Sequence, residues 1–399
     1  MAAHVELRVR SAKLEGFLPF PTWNGTIAAP LDDTRGLCSV LGANGELVVL
    51  QDIRNRDDND SWLCVQKVLP PAVEKPSSFC QCWTNDGAVV ATAHDRSVVL
   101  YSSYDFKVLA RLRLRYSVTS IDITKRCQGD TSEFLLIVGT SFGCFLYSVL
   151  LGSERGAGDD CNSAECDTEE QTPVSRVHDK IAVCLAKVSS DGHTVAIGTM
   201  DGRLFLRRLD SHENDVLATF GTSVLSRVLI APRITSMSFS ACNTKLVIAT
   251  RKGNVYVFAC SSETGEWQML PSCKDLSANP KPKAGVTAGV NKTATAAQTL
   301  VVCWGPVLVV CSRAVASRVE LYDFESGSLL HTLQLVPATP NAPAAALNQW
   351  LDQQLVTGVC SAQVTSPSGY SSRLLCHDTS ANIAVVEWPF LDVIVQRRR

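Results

Sequence analysis

The sequence lacks any apolar run long enough to cross a membrane as a helix. Apolar stretches such as 135–138 and 300–303 are far shorter than the roughly 20 residues that a spanning helix needs. Near the start of the chain, Glu6, Arg8 and Arg10 interrupt the apolar segment that a secretory signal requires. We therefore expect a protein of the cytoplasm or the nucleus with no membrane insertion.

The chain also lacks an excess of charge of either sign. Its 37 Lys and Arg residues against 39 Asp and Glu residues give a formal net charge of -2. No overall field therefore directs the protein to nucleic acid or to an anionic membrane. Hydrophobic residues make up 46% of the chain and charged residues 19%, which indicates a packed globular protein rather than a disordered one.

The standard catalytic motifs are missing as well. The sequence contains no Gly-x-Ser-x-Gly, no phosphate-binding glycine loop and no His-Glu-x-x-His. His94-Asp95 and His377-Asp378 have the residue types of a hydrolase base and its orienting carboxylate, but both pairs lie beside predicted turns. Local turn hydrogen bonding by the aspartates is the simpler interpretation. We predict no catalytic residue and no cofactor.

The 16 cysteines do not form a clear metal or disulfide pattern. They are dispersed among apolar positions, which is typical of reduced thiols used as small buried hydrophobes. Cys80 and Cys82 are two apart on a predicted strand and point to one side of it, next to Trp83. Cys161 and Cys166, followed by His178, lack the fourth ligand that a closed zinc site needs. We predict no metal site.

What the sequence does contain is a degenerate internal repeat. The segments 84–104, 189–209 and 240–260 each have a turn, a short apolar strand, a second turn and an alternating strand. The turns carry residues suited to tight hairpins. They are Asp86-Gly87, Asp191-Gly192 and Cys242-Asn243 for the first turn and Asp95-Arg96, Asp201-Gly202 and Lys252-Gly253 for the second.

Each of these units has a further apolar strand before it, and two have one after it. Four short strands that recur roughly every 35 to 65 residues indicate the blades of a β-propeller. The same pattern fits 36–69, 118–150, 300–335 and 353–388. We predict an all-β fold over residues 1–399, one seven-bladed β-propeller domain, with six or eight blades left open.

The two ends of the chain are predicted to meet. Val5 to Arg10 alternates in the manner of a strand and can complete the last blade, which removes an exposed sheet edge. Three insertions, 151–176, 272–298 and 336–346, have compositions that cannot bury much apolar area, and we expect them to be mobile loops leaving the ring. The segment 344–354 is the one short helix that the pattern allows.

Two stretches resemble a known family. "IGTMDGRLFLRRLD" (197–210) resembles the second and third strands of a WD repeat, and "SRVELYDFESGSLLHTLQL" (317–335) is similar to its third strand, turn and fourth strand. Tyr322-Asp323 falls where the family has Trp-Asp, and the family's Gly-His dipeptide occurs in no unit. The chain is identified as a divergent member of the WD-repeat family over about 36–388. This resemblance implies a propeller of the kind found in trafficking tethers, coat-like scaffolds and ribosome-assembly factors.

Candidate partner contacts fall into two charged groups. A basic stripe lies on a predicted outer strand, beside Tyr116. Such a stripe is typical of an exposed edge strand whose charges prevent aggregation. It is also typical of a surface that binds an acidic partner or RNA. The stripe consists of Lys107, Arg111, Arg113 and Arg115. The acidic group, in the first insertion, consists of Asp159, Asp160, Glu165, Asp167, Glu169 and Glu170.

These observations favour a non-enzymatic protein-interaction scaffold that belongs to a larger intracellular complex. Binding residues concentrate on loops held by a rigid frame, so the partners are expected to be other proteins that contact the propeller loops and faces. The alternative is an RNA-associated assembly factor of the ribosome-biogenesis type, although the net charge gives nucleic-acid binding no support. A propeller hydrolase is a weaker third hypothesis.

Overall fold

The structure is a computed structural model, and every regular element among the residues that it describes is a β-strand. It describes residues 8–14, 27–42, 45–52, 63–69, 79–128, 131–150, 173–209, 216–221, 233–251, 253–270, 299–312, 318–334, 356–366, 369–378 and 382–387. Within these ranges the strands form seven sheets. The predicted all-β, seven-bladed propeller is confirmed.

The strands are short, as the repeat predicts. In chain order they are β1 (Arg8–Lys13), β2 (Ile27–Ala28), β3 (Asp32–Asp33), β4 (Leu37–Leu41), β5 (Leu47–Asp52), β6 (Leu63–Leu69), β7 (Phe79–Trp83), β8 (Val89–His94), β9 (Ser97–Ser102), β10 (Val108–Arg113), β11 (Val118–Gln128), β12 (Thr131–Thr140), β13 (Gly143–Leu150), β14 (Ser175–Asp179), β15 (Val183–Val188), β16 (Thr194–Thr199), β17 (Arg203–Arg208), β18 (Val216–Gly221), β19 (Ile234–Phe239), β20 (Lys245–Thr250), β21 (Val255–Cys260), β22 (Trp267–Met269), β23 (Thr299–Trp304), β24 (Val307–Ser312), β25 (Arg318–Asp323), β26 (Leu329–Gln334), β27 (Val356–Ser366), β28 (Gly369–Asp378) and β29 (Asn382–Glu387).

Each sheet is one blade of antiparallel neighbours. Blades 1 to 6 are β2-β4-β5-β6, β7-β8-β9-β10, β11-β12-β13-β14, β15-β16-β17-β18, β19-β20-β21-β22 and β23-β24-β25-β26. Blade 7 is β27-β28-β29-β1, and β3 is added in parallel to the free side of β27. The first strand of every blade contacts the first strand of the next, and β27 contacts β2, so the seven blades form a closed ring.

The core is divided among the seven blade interfaces. Seven separate clusters of buried apolar side chains occur, and each joins two neighbouring blades. The cluster between blades 2 and 3, for example, packs Leu100 and Leu112 against Ile123 and Leu136. Because strand side chains alternate between the two faces of a sheet, one blade contributes to both of its interfaces. No blade can therefore bury its apolar surface alone.

The N-terminal strand closes the ring, as predicted. β1 pairs antiparallel with β29 from Arg8 opposite Glu387 to Lys13 opposite Asn382. The paired segment begins at Arg8, three residues after the predicted start at Val5. Glu387 also forms a 3.4 Å ion pair with the buried Arg373 of β28. The charge of Arg373 is therefore balanced next to the pairing of β29 with β1.

The turns have the backbone geometry that their residues indicated. We call the side of the ring with the first-to-second and third-to-fourth strand turns face 1, and the side with the second-to-third strand turns and the links between blades face 2. On face 1, Gly87, Gly192 and Asn243 have φ values of 67°, 75° and 58°. On face 2, Asp95 and Gly202 have φ values of 50° and 84°. Glycine, asparagine and aspartate tolerate this left-handed region best.

Some predicted boundaries change in the structure. β14 begins at Ser175, inside the predicted insertion 151–176, and supplies the fourth strand that the sequence pattern of blade 3 lacked. The short strands β2, β3 and β22 were not predicted, because two or three residues carry no periodicity. The predicted insertions 272–298 and 336–346, the remainder 151–172 of the first, and the predicted helix 344–354 lie outside the described residues.

Side chains of the innermost strands connect the first strands of successive blades. In β11, Ser120 Oγ accepts the Ala186 amide at 2.9 Å, and the Asp122 carboxylate accepts the Val188 amide at 2.9 Å. Lys187 Nζ lies 3.3 Å from the same carboxylate. These bonds satisfy backbone donors of β15, for which no strand of blade 3 provides a ladder partner. Ser120 and Asp122 therefore join blade 3 to blade 4.

The same arrangement recurs two blades further on. In β19, Ser236 Oγ accepts the Val301 amide at 3.0 Å and Ser238 Oγ accepts the Cys303 amide at 3.2 Å. The two strands share a sequence pattern, "VTSID" at 118–122 and "ITSMS" at 234–238, with the bonding side chains at the third and fifth positions. This repeated Thr-Ser pair is the sequence signal for the connection, which the pattern of strands and turns did not predict.

The turns of face 1 bond to one another across the inner end of the blades. The Asp32 amide donates to the Asn85 carbonyl at 2.8 Å, and Asn85 Nδ2 donates to the Ser190 carbonyl at 2.7 Å. The Ser190 amide then donates to Asn243 Oδ1 at 2.8 Å. This chain of bonds links β3 to the first turns of blades 2, 4 and 5. The polar groups of these turns are therefore engaged within the protein.

Candidate functional site

Three members of the basic stripe form a row on the outer strand of blade 2 and just beyond it. Arg111, Arg113 and Arg115 are exposed, while Leu112 and Leu114 between them are buried. This is the alternation that the sequence predicted. None of the three arginines forms an ion pair with a carboxylate of the described residues. We call Arg111, Arg113 and Arg115 the arginine row.

Lys107, the fourth member of the stripe, is separate from the row. It lies in the turn before β10 on face 1, and its Nζ is 3.3 Å from a carboxylate oxygen of Asp105. A β-bulge between Val108 and Ala110 interrupts the register between this turn and the arginines. The row instead runs away from Lys107 toward face 2, where Arg115 lies in the link to blade 3.

An aromatic stack lies beside the end of the arginine row. The Tyr116 ring stacks on Phe142 at a centroid distance of 4.7 Å and on Phe145 at 5.8 Å, both nearly parallel to it. The Arg115 guanidinium lies 5.5 Å from the centre of the Tyr116 ring. Phe142, at the tip of the β12–β13 turn, is 41% exposed. The Phe142 ring, which lies in a solvent-facing turn, is thus held in place by the Tyr116 ring packed against it.

The sequence contains a signal for this stack that the strand and turn pattern did not capture. Two residues after the end of the second strand, blades 2, 4 and 5 have Arg96, Asp201 and Lys252, whereas blade 3 has Phe142. A large aromatic residue at a hairpin tip is unusual because turn positions favour small polar residues. That Tyr116 and Phe142 meet could not be deduced, because a link between blades and a hairpin tip are joined only by tertiary packing.

Exposed apolar side chains occur at equivalent positions on the rims of three blades. Val108 and Leu109 begin the outer strand of blade 2, and Leu329 and Leu330 begin that of blade 6. In both strands the pairing register shifts at the second of the two residues, so a β-bulge presents it outward. Val65 of blade 1 is exposed just before a similar register shift.

The predicted acidic contacts all lie outside the described residues. They are Asp159, Asp160, Glu165, Asp167, Glu169 and Glu170. The chain that contains them joins β13 to β14 of blade 3, next to the blade that carries the arginine row.

The two histidine–aspartate pairs occupy equivalent places at the ends of second strands. His94 and His377 are each 1% exposed. Burial disfavours the charged imidazolium and lowers the pKa of each from 6.5 to about 4. In blade 3 the same place holds Thr140, whose hydroxyl accepts the amides of Phe142 and Gly143. The histidines therefore occupy structural turn positions.

The buried histidines predict a loss of stability in mild acid. Their folded pKa of about 4 lies below the unfolded value of 6.5, so the unfolded chain binds more protons as the pH falls through this window. The stabilisation is complete above pH 6.5 and is lost progressively toward pH 4. We expect on the order of 2 kcal/mol less unfolding free energy at pH 5 for each histidine. Urea titrations at several pH values measure it.

Threonine provides the matched variant for this prediction, because blades 3, 4 and 5 have Thr140, Thr199 and Thr250 at this place. His94→Thr and His377→Thr should each flatten the dependence of stability on pH. A steep acid loss that persists unchanged in the double threonine variant would contradict the assignment.

The cysteine pair on β7 packs as the sequence predicted. Cys80 and Cys82 both contact the cluster between blades 2 and 3, whereas Trp83 packs between blades 1 and 2. Burial raises the pKa of the Cys80 thiol to about 12. Eleven cysteines within the described ranges are free thiols, and within those ranges no group of three or more His, Cys, Asp or Glu residues could hold a metal ion. Cys161 and Cys166 lie outside them.

The fold, rather than a known relative, is the guide to the function of this chain. No protein-family model matches the sequence, and no curated protein matches it significantly. The chain is a seven-bladed β-propeller, an architecture consistent with a WD-repeat-like fold. Among the residues that the structure describes, no helix is long and apolar enough to cross a membrane. Propellers of this architecture are commonly protein-interaction scaffolds.

Proposed function

We propose that this chain is a divergent WD-repeat protein that acts as a non-enzymatic interaction scaffold in a larger complex of the cytoplasm or the nucleus. The observation that carries the proposal is the placement of exposed apolar side chains at equivalent bulges on the rim. Val108-Leu109 in blade 2 and Leu329-Leu330 in blade 6 face solvent on a closed ring. The partners are other proteins.

The bulges explain why these pairs are suited to binding. Single exposed apolar residues are common and need no explanation. Here, however, two adjacent residues are exposed together, because a register shift turns the second one outward. Bulges of this kind re-aim side chains at sheet edges. A partner that covers both side chains would remove their apolar area from water. The ring would not have to rearrange for this contact, which lowers the cost of binding.

The two pairs differ in the residues that follow them, which suits them to different partners. Blade 2 continues with Arg111 and Arg113, whereas blade 6 has the uncharged Thr332 and Gln334 at the corresponding positions. Electrostatic complementarity contributes mainly to specificity and to the association rate. Blade 2 therefore selects a partner with an acidic surface, and blade 6 selects one without.

Affinity purification with quantitative mass spectrometry tests the proposal, with the intact chain compared to Val108→Ser/Leu109→Ser and to Leu329→Ser/Leu330→Ser. Each double variant should lose a different subset of stoichiometric partners. Replacement of the six acidic residues by Asn and Gln tests them in the same experiment and leaves β14 (Ser175–Asp179) intact. The proposal fails if the intact chain carries no stoichiometric partner or if all variants retain the same set.

The weaker alternative is a propeller hydrolase. Both candidate bases, His94 and His377, are buried to 1% exposure, which argues against contact with a substrate. Labelling of the purified protein with broad serine- and cysteine-reactive probes separates the two hypotheses. Active-site labelling that denaturation abolishes would favour the hydrolase.

A further inference from the structure

We propose that the part of face 2 formed by blades 2 and 3 binds a single-stranded nucleic acid, with Phe142 as the platform for a base and Arg113 and Arg115 as phosphate contacts. Arg113 also follows the apolar pair of blade 2, but the aromatic platform lies apart from the rim pairs and adds a second class of ligand to the scaffold.

The stack gives Phe142 the properties of a base-binding platform. Tyr116 covers one face of the Phe142 ring at 4.7 Å, so the exposed area of Phe142 lies on its other face and its edge. The Phe145 ring also packs nearly parallel to Tyr116, at a centroid distance of 5.8 Å. A base that stacks on Phe142 therefore adds to an existing cluster of three aromatic rings and orders no flexible side chain. Stacking on an aromatic ring is the principal sequence-independent contact for single strands.

The cations adjoining the stack suit a phosphate backbone. Arg113 ends β10 and Arg115 lies two residues beyond it, so their Cα atoms are at most about 7 Å apart. That span is comparable to the spacing of successive phosphates in an extended single strand. Exposed Arg96 adjoins them, because its carbonyl accepts the Leu114 amide at 2.7 Å. These three arginines form no ion pair with a carboxylate of the described residues.

Among the other charged groups near this surface, Asp95 adds a negative charge beside Arg96 in the β8–β9 turn, but the cations outnumber it. Exposed Lys180, in the link from blade 3 to blade 4, adds a further positive charge on face 2. Asp201 of the neighbouring blade 4 is already paired with Arg203 at 3.2 Å. On the opposite face, the exposed cation Lys107 is paired with Asp105.

An aromatic platform beside exposed arginines favours a nucleic acid over an acidic peptide. A carboxylate-rich peptide would use the guanidinium groups but would gain little from the open face of a phenylalanine ring. A nucleic acid uses both, because every nucleotide has a π-face and a phosphate. The contribution of Phe142 therefore distinguishes the two ligands.

Fluorescence anisotropy of the purified full chain with a labelled oligouridylate of about 12 nucleotides tests the proposal. Phe142→Ala should weaken binding by about tenfold or more, and Phe142→Trp should retain it. Arg113→Ala/Arg115→Ala should lower the slope of log K against log salt by about 1.4, since each single-strand phosphate contact contributes about 0.7. An oligothymidylate of equal length should behave in the same way.

Matched controls come from face 1 and from the rim. Tyr104 is 75% exposed on face 1 near Lys107, and Tyr104→Ala and Lys107→Ala should leave binding unchanged. Val108→Ser/Leu109→Ser should also bind as the intact chain does, so failure of the rim proposal can be told apart from failure of this one. Unchanged thermal melting of each variant shows that it is folded.

Two results would overturn the proposal. One is absence of oligouridylate binding by the intact chain at low salt. The other is binding that is unaffected by Phe142→Ala and matched by poly-glutamate, which would assign the surface to an acidic protein segment.

Discussion

Deletion of residues 1–13 is expected to destabilise every blade of the ring, not only the last one. β1 supplies the outer strand of blade 7, and without it the backbone of β29 becomes an unpaired edge. The ion pair of Glu387 with buried Arg373 also becomes more exposed to water. We expect a loss on the order of 5 kcal/mol, comparable to the whole stability of a typical domain. Thermal unfolding followed by circular dichroism measures it.

A shorter deletion is the matched control. Removal of residues 1–7 leaves β1 (Arg8–Lys13) intact and should melt as the full chain does. Because each blade buries its apolar faces only against its neighbours, opening the ring at one interface exposes apolar area on two blades at once. An identical melting curve for the 1–13 deletion would refute the role of β1 in closure.

Asp122→Ala should be the most destabilising single substitution among the inter-blade side chains. It removes the acceptor of the Val188 amide and the counter-charge of Lys187, both at the interface of blades 3 and 4. An amide left without an acceptor and a cation left without its partner each cost free energy. Because Lys187 retains some contact with water, we expect a total of about 3 kcal/mol. Equilibrium unfolding in urea measures it.

The chain itself provides a graded series for this test. Asp122→Ser places at blade 3 the residue that blade 5 has at Ser238, and it keeps a hydroxyl acceptor for the Val188 amide. It should therefore cost less than Asp122→Ala. Ser238→Ala, which removes one neutral acceptor, should cost about 1 kcal/mol. Equal losses for the serine and alanine variants at position 122 would show that the amide bond contributes nothing.

The fold was predictable because its strands are joined by turns with strong local signals. Asp201-Gly202 and Asp86-Gly87 mark hairpins regardless of tertiary context, since the positive φ at Gly202 and Gly87 favours glycine in any protein. The repeated hairpin then indicates a blade, and the blade count gives the ring. Alternation of polar and apolar residues also predicted that Arg111 and Arg113 of β10 face solvent, whereas the exposure of Val108 and Leu109 at its bulge was not predicted.

The parts that the sequence did not predict depend on contacts between distant residues. β14 follows a long insertion, and its residues "SRVHD" carry no clear alternation, so only pairing with β13 defines it. β3 is two aspartates, Asp32 and Asp33, which disfavour strands on intrinsic grounds. The Tyr116–Phe142 stack joins a blade link to a hairpin tip. In each case tertiary packing decides the outcome, and local sequence does not report it.

Native-state hydrogen exchange of the N-terminal strand tests whether β1 closes the ring of seven blades. We expect the amides of Arg8–Lys13 to exchange with protection similar to those of Asn382–Glu387, because the two segments share one ladder. Full exchange of the N-terminal peptide at the earliest time point, beside a protected β29, would contradict a closed ring.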